Sequence, residues 1–256
     1  MQKYSKKIQN GWAFYDWANS VYPLVISSAI FPIFYSTVVP DKVTFWGLEM
    51  ANTVLISYVT AASFFVVVLL MPLLSGIADY LGNKKRFLQF FCYLGALSCV
   101  GLAFFDAEHL EISMLAFFFA CFGFWSSLVF YNAYLPEIAP TEEHDKLSAK
   151  GFSLGYIGSS TLLIVCLIIV MSSDGELTRV CFALTGVWWV IFSQITYARL
   201  PQIKARHKAK DILWKGYEEL RSVFRDMRHN KKLKRYLSAF FTYSMGVQTV
   251  MLMAVF

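Results

Sequence analysis

The sequence predicts an all-α, polytopic transmembrane bundle of six spanning helices, followed by the start of a seventh. Three observations lead there. Hydrophobic residues make up 57% of the 256-residue chain and charged residues only 16%, with aromatics at 18% and Phe alone at 24 copies. A soluble domain carries about 25% charged residues, so these charges are too few to cover a water-facing surface. The apolar residues also gather into runs of about 20, the length needed to cross a bilayer as a helix, and the mean hydropathy is +0.51. Finally, the basic residues gather in every second connection between the runs, and so on one side of the bundle. Disorder, fibrous repeats and a disulfide scaffold are excluded at the same step.

Candidate spans run over about 12–39, 48–74, 86–105, 110–135, 152–172 and 179–200, and a seventh begins at Tyr236. Residues 1–200 form the six-span bundle, 201–235 a basic connector, and 236–256 the seventh span. The outer connections are short: Pro40–Gly47, Asp106–His109 and Ser173–Thr178. With that assignment 21 of the 23 Lys and Arg fall on one side, and only Lys42 and Arg179 on the other. Lys and Arg concentrate in cytoplasmic loops, so the N-terminus is expected in the cytoplasm of a plasma or bacterial inner membrane. The formal charge of +6 then reflects topology, and no nucleic-acid partner is expected. In the connector, Leu213, Tyr217, Leu220, Phe224 and Met227 recur at helical spacing among Lys215, Arg221, Arg225 and Arg228. That pattern suits a basic helix lying on an anionic leaflet, or a solvated linker helix. No cleavable signal peptide is expected, because the first apolar stretch is too long for one. The five cysteines all lie within spans and show no metal spacing.

The 2–3 connection reads Gly76-Ile77-Ala78-Asp79-Tyr80-Leu81-Gly82-Asn83-Lys84-Lys85. Gly76 permits close packing at the end of span 2, and Gly82 permits a left-handed turn. Asp79, at the membrane edge, needs a donor or a helix N-terminus. Gly76, Asp79, Gly82, Lys84 and Lys85 resemble the signature loop between helices 2 and 3 of the major facilitator superfamily. Three further stretches resemble its vacuole-effluxer-like branch, which includes autophagy-related vacuolar amino-acid effluxers. They are Trp12–Tyr22 with Phe31-Pro32, Asn132–Ala139, and Ser148–Gly158. The resemblance implies the N-terminal half of a secondary transporter working by alternating access, with solute bound near the midplane between two rocking halves. It implies that Asp79 bears on helices of the second half. Full members have twelve spans and this chain stops inside the seventh. The expectation is a truncated chain, completed by a missing C-terminal half or a partner chain. A non-transporting membrane scaffold is the other reading.

Within the first span, Asp16, Asn19, Ser20, Pro23 and Ser27 follow i, i+3, i+4, i+7 and i+11, one polar stripe on an apolar helix. Pro23 and Pro32 open backbone carbonyls and allow bending. A carboxylate near the bilayer centre costs about 2.5–3.5 kcal/mol on insertion scales, so Asp16 asks for a reason. It couples to protons or holds a substrate amine; otherwise it stays hydrated near the cytoplasmic edge or pairs with Lys6 or Lys7. Ser127, Tyr131 and Asn132 in span 4 contact a polar solute or serve helix packing, and Glu137 belongs to an inner gate or a cap. Gly151, Gly155 and Gly158 open span 5 and allow close helix approach.

No enzyme is expected. Gly151-Phe152-Ser153-Leu154-Gly155 matches G-x-S-x-G, but a hydrolase elbow needs a strand–turn–helix setting. The histidines (His109, His144, His207, His229) lie in loops or at span edges and supply no base. No metal or other cofactor is expected, and no ATP-binding motif is present. The expected partners are the lipid bilayer, a small solute, and protons as a coupling ion. The expected function is secondary transport, with amino-acid export as the class the resemblance implies.

Overall fold

In the computed structural model, residues 5–202, 221, 225 and 230–253 are described. The amphipathic pattern at Leu213, Tyr217, Leu220, Phe224 and Met227 lies outside them. The first span is three consecutive helical pieces. Helix α1 (Lys6–Asn19) is capped by the Ser5 hydroxyl, which accepts from the Lys7 amide at 3.3 Å. A π-helix occupies Tyr22–Ala29, and α2 (Ile30–Val38) completes the span. Pro23 sits at the start of the π-helix. It has no N–H to give to the Asn19 carbonyl, so the α-type ladder is interrupted there, and the chain continues with a wider turn.

The outer connection and the predicted start of span 2 differ from the expectation. Strands β1 (Lys42–Phe45) and β2 (Leu48–Ala51) pair antiparallel, with Lys42 opposite Ala51 and Phe45 opposite Leu48. Trp46 and Gly47 turn the hairpin with φ of 49° and 79°. Two positive φ values in a two-residue loop match the twist of the flanking strands, but Trp-Gly is not the Asn-Gly or Asp-Gly pair that would advertise such a turn. The spanning helix α3 therefore begins at Asn52 and runs to Leu81.

Gly82 ends α3 with φ 64°, a left-handed conformation that costs an L side chain energy. Helix α4 (Lys84–Leu102), α5 (Leu110–Asn132), the short α6 (Leu135–Ile138), α7 (His144–Ser172) and α8 (Thr178–Arg199) follow. Beyond the connector lies α9 (Lys231–Met253). Among the described residues, five helical stretches are long and apolar enough to cross a membrane: 6–38, 52–81, 110–138, 141–172 and 178–199. Helix α4 occupies the place of the expected third span. It opens on Lys84-Lys85-Arg86, which lowers its hydropathy. It is nonetheless buried in the bundle, packed antiparallel between α5 and α8. Phe87 stacks on Phe130 near one end, and Gly95 meets Gly123 and Trp189 at the centre.

In lipid, burying an apolar side chain gains little over leaving it in the acyl phase, so close backbone approach and hydrogen bonds hold helices together. The closest approaches are at glycines. A Cβ on Gly123 would lie 2.5 Å from Gly95 Cα, and one on Gly186 would collide with the Ala96 carbonyl. Helices α3 and α7 sit at the edges. Only 22% and 28% of their most apolar windows are buried, against 56% for the α5–α6 stretch. The fold is an all-α polytopic bundle with one small hairpin, and the protein is an integral membrane protein.

Candidate functional site

Asp16 is buried at the junction of α1, α5 and α7. Tyr131 donates its hydroxyl to Asp16 Oδ2 at 2.9 Å. The tyrosine ring is fixed by Trp12, which stacks on it at 4.3 Å and donates from Nε1 to the Tyr131 carbonyl at 2.8 Å. The glycines of α7 make room for this arrangement. A Cβ on Gly151 would strike Asp16 Oδ2, one on Gly155 would strike Ser20 Oγ, and one on Gly158 would lie 2.7 Å from the Trp17 carbonyl. The three glycines form a channel along α7 into which α1 lays its polar side chains. Among the described residues no ion pair includes Asp16, so it is not paired with Lys6 or Lys7.

The other predicted residues are placed unequally. Asn19 is 1% exposed, its Oδ1 accepting from Ser20 at 3.4 Å, while its Nδ2 has no partner. Ser127 is fully buried and donates to the Phe124 carbonyl of its own helix at 2.8 Å. Asn132 ends α5 as an exposed residue and takes no part in the junction. Ser153 lies on an exposed turn of α7 and donates to the Ala149 carbonyl.

The predicted stripe splits in two. Asp16 and Ser20 face the α7 glycines, but Pro23 and Ser27 line a cleft of about 570 Å³ between the π-helical segment, α3 and α5. The spacing argument assumed 3.6 residues per turn throughout. The π-helix from Tyr22 to Ala29 bonds i to i+5, so the register rotates past Tyr22. Sequence reasoning missed the far wall of the cleft. Ser57, Thr60 and Phe64 of α3 recur at i, i+3 and i+7, a visible signal. Trp125 and Phe124 of α5 lie in an unbroken apolar run and give no such signal.

A second cluster closes the basic end of the bundle. Lys84 bridges Asp79 and Glu137, the latter at 2.5 Å. The Lys84 side chain is 10% exposed, and those of Asp79 and Glu137 are 48% and 33% exposed. Gly82 makes the bridge possible by turning the chain so that Asp79, near the end of α3, faces the first residue of α4. Lys85 Nζ donates to the Leu200 carbonyl at 3.0 Å. Gln9 Nε2 donates to the Ile138 carbonyl and to Glu143, at 3.2 and 3.1 Å, joining α1 to the α6 segment. Nothing in the sequence singles out Gln9. Gly76 lies half-buried in α3 and joins neither cluster. Replacing Lys84 by Met leaves two carboxylates facing each other. Because both are partly solvated, the expected loss of stability is about 1–2 kcal/mol, below the cost for a fully buried pair. Lys84→Arg retains most of it. Thermal unfolding in detergent measures both, and equal melting of Lys84→Met and the parent refutes a structural role for the bridge.

A family model described as vacuole effluxer Atg22-like matches residues 4–256. The chain belongs to that family. Among its relatives, an uncharacterized MFS-type transporter, YxiO, of Bacillus subtilis (strain 168) is 33% identical over 269 residues, covering 99% of this chain and 60% of YxiO. Autophagy-related protein 22 of Saccharomyces cerevisiae is 26% identical over 242 residues, covering 75% of this chain and 45% of that protein. Autophagy-related protein 22-1 of Aspergillus fumigatus is 31% identical over 118 residues, covering 41% of this chain and 19% of that protein. The chain thus spans 60% or less of the length of these curated relatives. The Atg22-like match takes in both clusters and the cleft.

Proposed function

We propose that the protein is the N-terminal part of a secondary transporter that moves a small organic solute outward by alternating access. The single observation that carries this reading is Asp16. A carboxylate is buried in the first spanning helix and held by one tyrosine hydroxyl, without an ion pair among the described residues. A structural carboxylate in lipid would be neutralised by a fixed cation; an ionisable group held by a neutral donor can change protonation as the site opens and closes. Asp16 is the coupling group, protons are the coupling ion, and the cleft is this part's share of the solute path. The Lys84 cluster is the inner latch. The edge helices α3 and α7 carry the largest unburied apolar faces, and a second half, of the length present in the relatives, covers them. Amino acids are the solute class implied by the family resemblance. A comparison of metabolites retained and released by cells with and without the intact gene tests it. Unchanged pools refute efflux.

The reading also places the Lys84 latch and the N-terminus in the cytoplasm of the plasma or bacterial inner membrane. The residue ranges 1–200, 201–235 and 236–256 serve it as bundle, connector and first helix of the second half. Asn83→Cys is expected to resist an impermeant thiol reagent added outside intact cells, while Thr44→Cys in the hairpin reacts. The reverse pattern overturns the orientation.

A further inference from the structure

Tyr131 reaches Asp16 from a neighbouring helix, and α1 itself holds it there. Three residues of α1 meet it. Trp12 stacks on the ring with centroids 4.3 Å and planes 11° apart, Tyr15 packs against it at 5.0 Å, and Asp16 accepts the hydroxyl at 2.9 Å. All three rings are buried, and in a close-packed interior a ring so placed has little room to turn. Trp12 holds the backbone as well. Its Nε1 donates to the Tyr131 carbonyl at 2.8 Å, one residue before α5 ends at Asn132. Carbonyls in the last turn of a helix lack the regular i+4 amide, which leaves a lone pair for an outside donor. The Tyr134 amide donates to the same oxygen at 3.2 Å.

The place of Trp12 is in turn set by α8. Thr196 Oγ1 donates to the Gly11 carbonyl at 2.8 Å, and a Cβ on Gly11 would lie 2.6 Å from Arg199 Cβ. The α1 backbone is therefore pressed against α8 at the residue before Trp12. Toward Asp16 itself, α5 presents Tyr131, and α7 presents Gly151 and Gly155. Of the charged groups on the helices around it, Lys150 of α7 donates to Asn10, and the Arg199 side chain of α8 lies along Gly11. Tyr15, beside Asp16 in the chain, turns its hydroxyl toward Ser127, Trp189 and Cys92. The Tyr131 hydroxyl is the donor that tells the two protonation states of Asp16 apart, because a bond to an ionised oxygen is roughly twice as strong as one to a neutral group.

We infer that Trp12 is a positioning residue: it holds the Tyr131 hydroxyl on Asp16 and thereby ties the protonation of that carboxylate to the position of α1 against α5. Tyr131 belongs to α5, whereas both of its clamps, the stacked indole and the N–H bond, belong to α1. A movement of the end of α5 along α1 pulls ring and carbonyl off Trp12 together and takes the donor away from Asp16. In the other direction, Asp16 that has gained a proton holds α5 less tightly. The inference rests on the proposed coupling role of Asp16 only for its use in transport; the positioning is a property of the bundle.

The test reads the protonation of Asp16 directly, as the carboxyl C=O band in infrared difference spectra of the full-length protein in nanodiscs. Asp16→Asn identifies the band. Trp12→Phe keeps a ring on Tyr131 and removes the N–H. It is expected to move the pH midpoint of the band by about half a pH unit or more, in the direction that Tyr131→Phe moves it. In a Tyr131→Phe background the same change is expected to do nothing further, since the two residues act as a unit. Trp188→Phe is the control. Trp188 Nε1 donates to the Trp17 carbonyl at 3.1 Å, the same kind of bond to α1 one residue beyond Asp16, and its loss leaves the midpoint in place. Should Trp12→Phe not fold, Thr196→Val, which releases Gly11 from α8, carries the test with the same expectation. An unmoved midpoint overturns the inference, as does a band that never titrates. So do equal shifts with and without the Tyr131 hydroxyl, or a shift in Trp188→Phe as large as in Trp12→Phe. Gradient-driven transport is measured on the same variants. A midpoint that shifts while transport ignores Asp16→Asn refutes the coupling reading alone. Transport lost in Asp16→Asn, with the midpoint unmoved in Trp12→Phe, refutes this inference alone.

Discussion

Asp16→Asn in the full-length protein is expected to reduce gradient-driven solute movement to the level of protein-free vesicles, while the protein still inserts and folds. The reason lies in the geometry of the pair. Tyr131 donates to Asp16 Oδ2 at 2.9 Å, and an asparagine offers a carbonyl oxygen in the same place. The contact between α1 and α5 survives, and the room left by Gly151 remains filled. Only the ionisable proton is lost. Asn cannot alternate between charged and neutral forms, so a cycle driven by protonation at this position stops. Tyr131→Phe is the companion variant. It keeps the stack on Trp12 and removes the donor, leaving a buried carboxylate without its hydrogen bond. Such a loss costs about 1.5–3 kcal/mol for a charged acceptor, so this variant is expected to lose stability as well as activity. Counterflow in reconstituted vesicles, with and without a pH gradient, measures the first variant. Gradient-driven uptake by Asp16→Asn equal to the parent refutes a coupling role for the carboxylate.

Gly123→Leu is expected to prevent assembly of the bundle. Helices α4 and α5 meet backbone to backbone here. A Cβ on Gly123 would lie 2.5 Å from both the Cα and the N of Gly95 and 2.8 Å from the Phe91 carbonyl. None of these is the movable end of a side chain, so the whole helix must shift. Even Gly123→Ala is expected to cost about 1–3 kcal/mol, the range for overpacking a close-packed interior. The control is Gly101 on the same helix pair. A Cβ there would meet Ala116 Cβ at 3.7 Å, an ordinary contact. Gly101→Ala should stabilise the protein by about 0.5–1 kcal/mol through the lower backbone entropy of alanine in a helix. Melting temperatures of the three variants in detergent provide the comparison. Equal effects at 101 and 123 would show that the helix contact is looser than the backbone distances state.

The hydrophobic runs and the helix-breaking residues between them were enough to place most of the bundle. A run of about 20 apolar residues has one low-energy form in lipid, because every backbone amide must find its partner within the segment. Sequence alone therefore reaches the long helices between residues 52 and 199, although α3 runs on past the expected end at 74 to Leu81 and α7 begins at His144, before the expected 152. It failed at the hairpin because a short, mixed-polarity segment satisfies its backbone by pairing with a neighbouring strand, which local composition does not encode. The polar stripe was legible as far as Ser20 and misread beyond it. Pro23 was visible as an interruption, but its resolution into a wider turn depends on what packs against the helix.

The site shows the same division. Asp16 stands out in any reading, since a lone carboxylate in an apolar run has few structural excuses. That Tyr131 and not Lys6 or Lys7 meets it is a fact about residues 115 positions apart, and the three glycines of α7 acquire a purpose only when α1 is laid against them. Composition and periodicity by themselves determined that this is an all-α membrane bundle, and singled out the polar residues that sit within its apolar runs. The tertiary structure decided which of those residues meet and that the stripe serves two different places. The physical reason is one of range. Partition into lipid and helical hydrogen bonding act within a segment and leave their mark on consecutive residues. Contact between helices is set by shape at single positions such as Gly123 and Gly151, where the absence of one side chain matters only because of the atom that stands opposite.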